Sequence, residues 1–221
     1  MSIFTIYHGS NIVIEKPLFH YEGSNKHNDY GLGFYCTLDI EMAKEWANRN
    51  INNGFVNKYS FNDEGLRILD LSNKSKYSVL NWIAILIHYR DLSLQDRIDY
   101  QKALSFLEKY FINVEDYDVV IGYRADDAYF RFPLMFIQNV ITFDKLEEIY
   151  QLGNLGKQYV LISQKAFSRI HFKGAIPVES IYHDRYITRV NEAVNLYHIF
   201  EIQDRYSKGK RIIDLMQEDN D

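Results

Sequence analysis

The stretch Gly31-Leu32-Gly33-Phe34-Tyr35-Cys36-Thr37 carries the clearest structural signal in this chain. Two glycines lead into a short apolar run of strand-forming residues, and Asp39 follows as a helix N-cap. Apolar residues then recur at helical spacing, at Ile40, Ala43, Trp46 and Ala47. The stretch therefore predicts a strand over 33–37 and a helix over 40–50. It is not the dinucleotide-binding fingerprint, because that pattern of glycines follows a strand and opens a helix.

Strand-like segments occur early and late in the chain, and helical segments occupy its middle. Alternation and apolar runs predict strands over 3–7, 55–61, 66–71, 117–121 and 158–162. A turn is predicted at 8–10, a short extended piece at 12–19 and a loop at 20–33. Helical periodicity predicts helices over 78–90, 93–111, 126–140 and 145–152, and an amphipathic tail over 191–217. This order favours an α+β fold over a regular βαβ alternation.

The composition is that of an ordinary globular protein of 221 residues, with 47% apolar and 25% charged residues and 3 prolines. The net charge of −5 argues against a protein that tracks nucleic-acid phosphates. Cys36 is the one cysteine, so no internal disulfide forms, and the 7 histidines are scattered, so no metal site is predicted. No signal peptide and no membrane span are evident, which predicts a cytoplasmic location.

Three separated motifs are the candidates for chemistry: Tyr7-His8-Gly9-Ser10, Gly31 to Thr37, and Lys157-Gln158-Tyr159-Val160-Leu161-Ile162. Each has an ordinary structural explanation when it is taken alone. His8 would be a satisfied structural histidine, the glycines a turn, and Gln158 a solvated residue at a strand end. Their order along the chain raises the weight of a functional interpretation.

In this order, the motifs resemble the ADP-ribosyltransferase superfamily in its diphtheria-toxin and poly(ADP-ribose)-polymerase branch. That branch carries His-Gly-Ser or His-Gly-Thr on its first strand, then Gly-x-Gly-apolar-Tyr, and last Glu-Tyr before an apolar strand. This chain resembles a His-Tyr-Gln variant, with His8, Tyr35 and Gln158. Tyr-His-Gly-Ser, Asp-x-Gly-x-Gly-Phe-Tyr-x-Thr at 29–37 and Ala-x-x-Trp-Ala at 43–47 also resemble a family of small bacterial toxin-like proteins formerly of unknown function. The resemblance covers roughly residues 1–175.

The resemblance implies an ADP-ribosyltransferase-like α+β fold, in which two small, mostly antiparallel sheets face each other across an NAD-binding cleft. Residues 1–183 would form this domain, with a helical insertion at about 75–111. Residues 184–221 would form a helical tail that packs on the domain or on a partner. An antitoxin protein or a second copy of the chain would be such a partner.

The resemblance also implies roles for individual residues. His8 would bond the adenosine ribose, the backbone of Gly9 would bond the nicotinamide carboxamide, and Tyr35 would stack on the nicotinamide ring. Trp46 would supply a second wall, and Gln158 would bond a hydroxyl of the nicotinamide ribose. Ser10 and Gly33 complete the predicted NAD-binding set.

The implied activity is NAD-dependent mono-ADP-ribosyl transfer to a macromolecular target, either a protein or a nucleic acid, with NAD as co-substrate and no metal. The implied setting is a bacterial toxin of a toxin–antitoxin or phage-defence system. An NAD glycohydrolase and a catalytically silent module that binds NAD or ADP-ribose are the alternatives. They stay open because Gln158 stands where relatives have a glutamate, and a glutamine takes no proton.

Asp126 and Asp127 follow a buried strand and admit two interpretations. They would form a turn with an aspartate N-cap, or they would lie at the rim of the cleft and supply the carboxylate that Gln158 lacks.

Overall fold

The computed structural model describes residues 3–20, 25–50, 53–90, 98–125, 129–152 and 156–219. Its strands are β1 (Ile3–Ser10), β2 (Phe34–Cys36), β3 (Phe55–Asn62), β4 (Ile68–Asp70), β5 (Val119–Tyr123), β6 (Lys157–Leu161) and β7 (Ile170–Pro177). Its helices are α1 (Ile40–Ala47), α2 (Val79–Tyr89), α3 (Ile98–Glu108), α4 (Arg131–Ile137), α5 (Phe143–Leu152), α6 (Gln164–Phe167), α7 (Ile181–Gln203) and α8 (Ile212–Glu218). The predicted α+β class is confirmed at this level, as a mixed fold with two sheets and several helices.

The strands form two sheets that differ in the number and direction of their strands. The first has the order β1-β3-β7 and is antiparallel throughout. The second has the order β2-β6-β5-β4, in which the pair β4 and β5 is parallel and the other pairs are antiparallel. A backbone bridge joins the two sheets, because Tyr7 and Thr37 exchange hydrogen bonds of 2.8 and 2.9 Å.

Side chains from both sheets meet in one apolar cluster, which packs the two sheets against each other. The first sheet contributes Ile6, Tyr59, Phe61 and Ile170 to it, and the second contributes Phe34, Cys36, Val119 and Leu161. Burial of apolar area on this scale is the main favourable term in holding the sheets together. The motif strands β1 and β2 are therefore fixed relative to each other.

A second, larger cluster surrounds α2, which is apolar on nearly all sides. Ser78 caps this helix, and Asn81 completes a capping box by accepting a hydrogen bond from the backbone of Ser78 at 2.9 Å. Trp82 is fully buried at the centre of the cluster. A helix that is hydrophobic all round belongs in an interior, and α2 accordingly lies among the other helices and the strand β5.

The C-terminal helices pack on the same core. Ala193 of α7 and Ile212 of α8 are buried in the larger cluster, and Arg189 of α7 pairs with Glu45 of α1 at 2.8 Å. The predicted boundary between residues 183 and 184 falls inside α7, which begins at Ile181. The predicted tail helix over 191–217 is two helices, separated by residues 204–211.

Two local predictions are wrong. The predicted turn at 8–10 is strand, because β1 continues to Ser10 and stays paired with β3, with His8 opposite Asn57. The buried Asn57 side chain stabilises the end of this strand by donating a hydrogen bond to the hydroxyl of Ser10 at 3.0 Å. Residues 12–19 form no strand. The strand β7 was not predicted, since its alternation is interrupted where Gly174 lies beside a register shift in β3.

Gly9 lies where β1 passes under α1, and the contact leaves no room for a side chain. A Cβ atom at this position would come within 2.1 Å of the Ala43 carbonyl oxygen and within 2.7 Å of the Ala47 nitrogen. Both atoms belong to the helix backbone, so they do not move aside easily. Close packing of strand on helix is therefore a sufficient reason for glycine here.

We expect Gly9→Ala to lower the free energy of unfolding by about 1–3 kcal/mol, the usual cost of overpacking. Denaturant unfolding followed by circular dichroism measures this change. Gly65→Ala is the control, because a Cβ there meets nothing within 4 Å and only the backbone, at φ +69°, is strained. A Gly9→Ala protein with wild-type stability would contradict the close packing of β1 on α1.

Candidate active site

One cavity of about 520 Å³ receives residues from all three sequence motifs. This volume lies within the range of sites that bind small molecules. Six of the predicted site residues line it: His8, Gly9, Gly33, Tyr35, Trp46 and Gln158. Ser10 is not among the lining residues, since its hydroxyl is engaged with Asn57 and Ile12. Asp126 and Asp127 lie outside the described residues.

His8 is held in one orientation by the strand that follows the Gly-x-Gly turn. Its Nδ1–H donates to the Tyr35 carbonyl oxygen at 2.7 Å, and its ring stacks on Phe34 with centroids 4.4 Å apart. Burial lowers the pKa of His8 below its ordinary value, although the bond to Tyr35 opposes this effect. The neutral imidazole therefore keeps its proton on Nδ1 and has a lone pair on Nε2. That lone pair can accept a hydrogen bond from a hydroxyl group in the cavity.

Tyr35 lines the cavity with its ring, while its hydroxyl is already engaged with the preceding turn. The hydroxyl donates to the Gly31 carbonyl oxygen at 2.7 Å and accepts from the Tyr30 backbone N–H at 3.1 Å. Gly31 has a φ of +71°, which favours glycine, and a Cβ there would clash with the Tyr89 ring. Burial raises the pKa of Tyr35 well above its usual range, so the hydroxyl stays protonated. Its ring face is what remains available to a ligand.

Trp46 forms one wall of the cavity together with a cation. The guanidinium of Arg124 lies 3.9 Å from the centre of a Trp46 ring, at a distance typical of a cation–π contact. Arg124 follows β5, is 3% exposed and lines the same cavity. Lys16 and Arg90 also line the cavity, against the negative charge of Asp29. The cavity therefore has a local excess of positive charge that the net charge of the chain does not indicate.

Gln158 belongs to a buried polar cluster that also contains Asp29 and Arg90. Its Nε2 donates to Asp29 Oδ2 at 3.0 Å, and the backbone N–H of Ala125 donates to the same oxygen at 2.8 Å. Arg90 donates from Nε and from Nη2 to the other oxygen, Oδ1, at 2.8 and 2.7 Å. Burial raises the pKa of Asp29, and the charge of Arg90 is the largest effect that opposes this rise.

Asp29 and Arg90 both line the cavity, and the sequence analysis assigned neither of them a role. Asp29 opens the Asp-x-Gly-x-Gly-Phe-Tyr-x-Thr motif, so its position in that motif was the available signal. Arg90 had no comparable signal, because it follows an apolar helix and belongs to none of the three motifs. Arg124 precedes the predicted Asp126 and Asp127 in the sequence but was not itself predicted.

The described parts of the chain hold no group of three or more His, Cys, Asp and Glu side chains arranged to bind a metal ion. Among the helices of these same residues, none is both long and apolar enough to cross a membrane.

The sequence profile of the DUF3990 family, described as proteins of unknown function, matches residues 4–172. The match spans β1 through the first residues of β7 and includes every lining residue discussed above, so the chain belongs to this family. No match was found among curated proteins or among solved structures.

We expect His8 to make the protein less stable in acid, with a sign fixed by its lowered pKa. The unfolded chain binds the His8 proton at a higher pH than the folded chain does, so the stability present above the ordinary pKa is lost as the pH falls. The loss is at most about 1.4 kcal/mol per pH unit. His8→Gln should therefore lose less stability than wild type between pH 7.5 and 5.

Thermal unfolding at several pH values measures this difference. His171→Gln serves as the control, because it removes an exposed histidine of β7 that lies outside the cavity lining. A His8→Gln profile parallel to that of wild type would show that His8 is not held neutral.

Proposed function

We propose that the protein is an NAD-dependent mono-ADP-ribosyltransferase that modifies a macromolecular target. The observation that carries this proposal is the convergence of His8, Tyr35 and Gln158 on one cavity from segments far apart in the sequence. The resemblance predicted these three residues in this order. Residues this far apart in the sequence come to line one cavity only through the fold, so their common location supports the proposal. Membership of the DUF3990 family adds no activity, since that family is described only as proteins of unknown function.

The proposal includes an ADP-ribosyltransferase-like fold with two sheets facing each other across the cavity. The presence of two small sheets with mostly antiparallel pairing supports it, as does the apolar cluster that both sheets share. The helices α2 and α3 fall within the predicted insertion at about 75–111.

The residues of the cavity match the groups that NAD presents. The lone pair on His8 Nε2 suits a ribose hydroxyl, and the ring of Tyr35 suits stacking against the planar nicotinamide. Arg124 and Lys16 suit the negatively charged diphosphate. The amide oxygen of Gln158 would accept a hydrogen bond from a hydroxyl of the second ribose.

In the proposed reaction, the bond between ribose C1′ and the nicotinamide nitrogen breaks, and its electron pair leaves with neutral nicotinamide. The ribosyl group passes through an oxocarbenium-like state. A nucleophile of the acceptor forms a bond to C1′ and loses its own proton to solvent. The cavity contributes by fixing both ribose and nicotinamide, which is catalysis by positioning. Gln158 orients the ribose and takes up no proton.

The wider role as a bacterial toxin, in a toxin–antitoxin or phage-defence system, comes from the resemblance and is part of this proposal. An antitoxin or a second copy that contacts α7 stays a prediction. The helix has apolar residues on its exposed surface, among them Ile187, Ile199 and Ile202.

We expect the purified protein to release nicotinamide from NAD, and Gln158→Ala to lower kcat by roughly thirtyfold to a thousandfold. NAD binding should persist in this variant, because His8 and Tyr35 remain. Chromatographic detection of nicotinamide measures turnover, and calorimetry measures binding. Lys157→Gln is the matched control, since Lys157 is the exposed neighbour of Gln158 in β6 and should not affect turnover.

NAD labelled in its adenine, added with cell lysate before and after nuclease treatment, identifies the class of acceptor. Label on nuclease-resistant material indicates a protein, and label lost with nuclease indicates a nucleic acid. Nicotinamide release with free ADP-ribose and no labelled acceptor would replace the proposal with an NAD glycohydrolase. Binding without any release would replace it with a silent NAD-binding module.

A further inference from the structure

We infer that Asp29 is a positioning residue, which fixes the amide of Gln158 with its NH₂ group on the Asp29 side and its oxygen available to the cavity. Asp29 pairs with the guanidinium of Arg90, and a carboxylate paired in this way only accepts hydrogen bonds, so the group that faces it at 3.0 Å is the amide nitrogen. The orientation of the amide therefore follows from the chemistry of its partner. The catalytic consequence of this orientation rests on the proposed function, but the orientation itself does not.

Asp29 is fully engaged and has no capacity left for a substrate. Each of its two oxygens accepts two hydrogen bonds, from Arg90 on one side and from Ala125 and Gln158 on the other. A carboxylate offers about four acceptor positions in total, so all of them are occupied. Asp29 therefore acts through Gln158 and is not itself a proton acceptor in the reaction.

The position of Asp29 explains why residue 158 is a glutamine here. A glutamate at 158 would place a second carboxylate about where the Gln158 nitrogen now lies, 3.0 Å from an Asp29 oxygen. Two carboxylates at that separation do not both ionise readily. The pair therefore consists of one carboxylate, at Asp29, and one neutral amide, at Gln158. The negative charge lies on Asp29, where Arg90 pairs with it.

The titratable groups facing this pair are few among the described residues. Arg90 contacts Asp29 directly, and the hydroxyls of Tyr30 and Tyr35 are close enough for their pKa values to be raised by its charge. Tyr30 is buried and Tyr35 is half-buried, and because their pKa values are raised both stay neutral near pH 7. The test therefore compares variants at positions 29 and 158 with wild type, in which these neighbouring groups are unchanged.

The first test adds a second carboxylate at position 158 and then exchanges the carboxylate and the amide between positions 29 and 158. In Gln158→Glu the two carboxylates share a proton, whose folded-state pKa lies above that of the unfolded chain. Stability is then retained at low pH and lost as the pH rises, so the melting temperature should fall relative to wild type between pH 5 and 8. The double variant Asp29→Asn/Gln158→Glu restores one carboxylate and one amide. The additional fall should disappear in it.

The second test separates positioning from a general structural role. Asp29→Asn lets residue 29 donate as well as accept, so the Gln158 amide can turn over. We expect kcat for nicotinamide release to fall roughly tenfold to a hundredfold, as for other partners that orient a functional group. KM for NAD should change little. Asp204→Asn is the matched control, because Asp204 is also buried, pairs with Arg211, accepts from a backbone N–H and lies outside the cavity lining.

The control should lose stability without losing kcat, measured at a temperature at which both variants are folded. An Asp29→Asn variant with wild-type kcat, or a Gln158→Glu variant whose stability follows the wild-type pH profile, would overturn the inference while the proposed function stands. Folded wild-type protein that releases no nicotinamide would overturn the proposed function. The pH profiles of the exchanged variants would then still decide the inference, and they do so even if Asp29→Asn alone does not fold.

Discussion

The buried ion pair between Asp29 and Arg90 is the interaction on which the site depends. An unpaired carboxylate at this depth would carry a large desolvation cost, which Arg90 and two further donors offset. The pair also connects four segments: the turn before β2, the end of α2, the backbone after β5 and the start of β6. Each of these segments contributes a side chain to the cavity. Removing one partner would leave the other charge buried and alone, which is far more costly than losing a surface pair.

Local signals in the sequence were sufficient for most elements. Asp39 caps α1 as predicted, the apolar run predicted as a helix over 78–90 forms α2, and the alternating run at 55–61 forms β3. These features depend on neighbours within a few residues, so a single sequence contains them. The strand β7 and the continuation of β1 to Ser10 depend instead on pairing with β3. The partner lies tens of residues away for β1 and more than a hundred residues away for β7, so neither leaves a local pattern.

The site divides in the same way. His8, Tyr35 and Gln158 were identified through their motifs, and the structure describes all three at one cavity. Arg90 and Arg124 were missed, because their relevance comes from burial and from partners that only the fold supplies. The carboxylate next to Gln158 was sought at Asp126 or Asp127, which lie outside the described residues. It is present at Asp29, which is distant from Gln158 in the chain and near it only once β2 pairs with β6.

The sheet topology determines when, during synthesis, the two sheets can be completed. The strand β1 pairs with β3, but β7 joins β3 and β6 joins β2 only late in the chain, so both sheets are completed through contacts of very long sequence separation. Such contacts form slowly, because a long loop must be ordered before any pairing repays the cost. During synthesis the ribosome needs roughly ten to thirty seconds to travel from β1 to β6. Throughout that interval the nascent chain exposes apolar strands and lacks the complete cavity. A ligand of the cavity can therefore bind and stabilise the chain only after the later half has been synthesised.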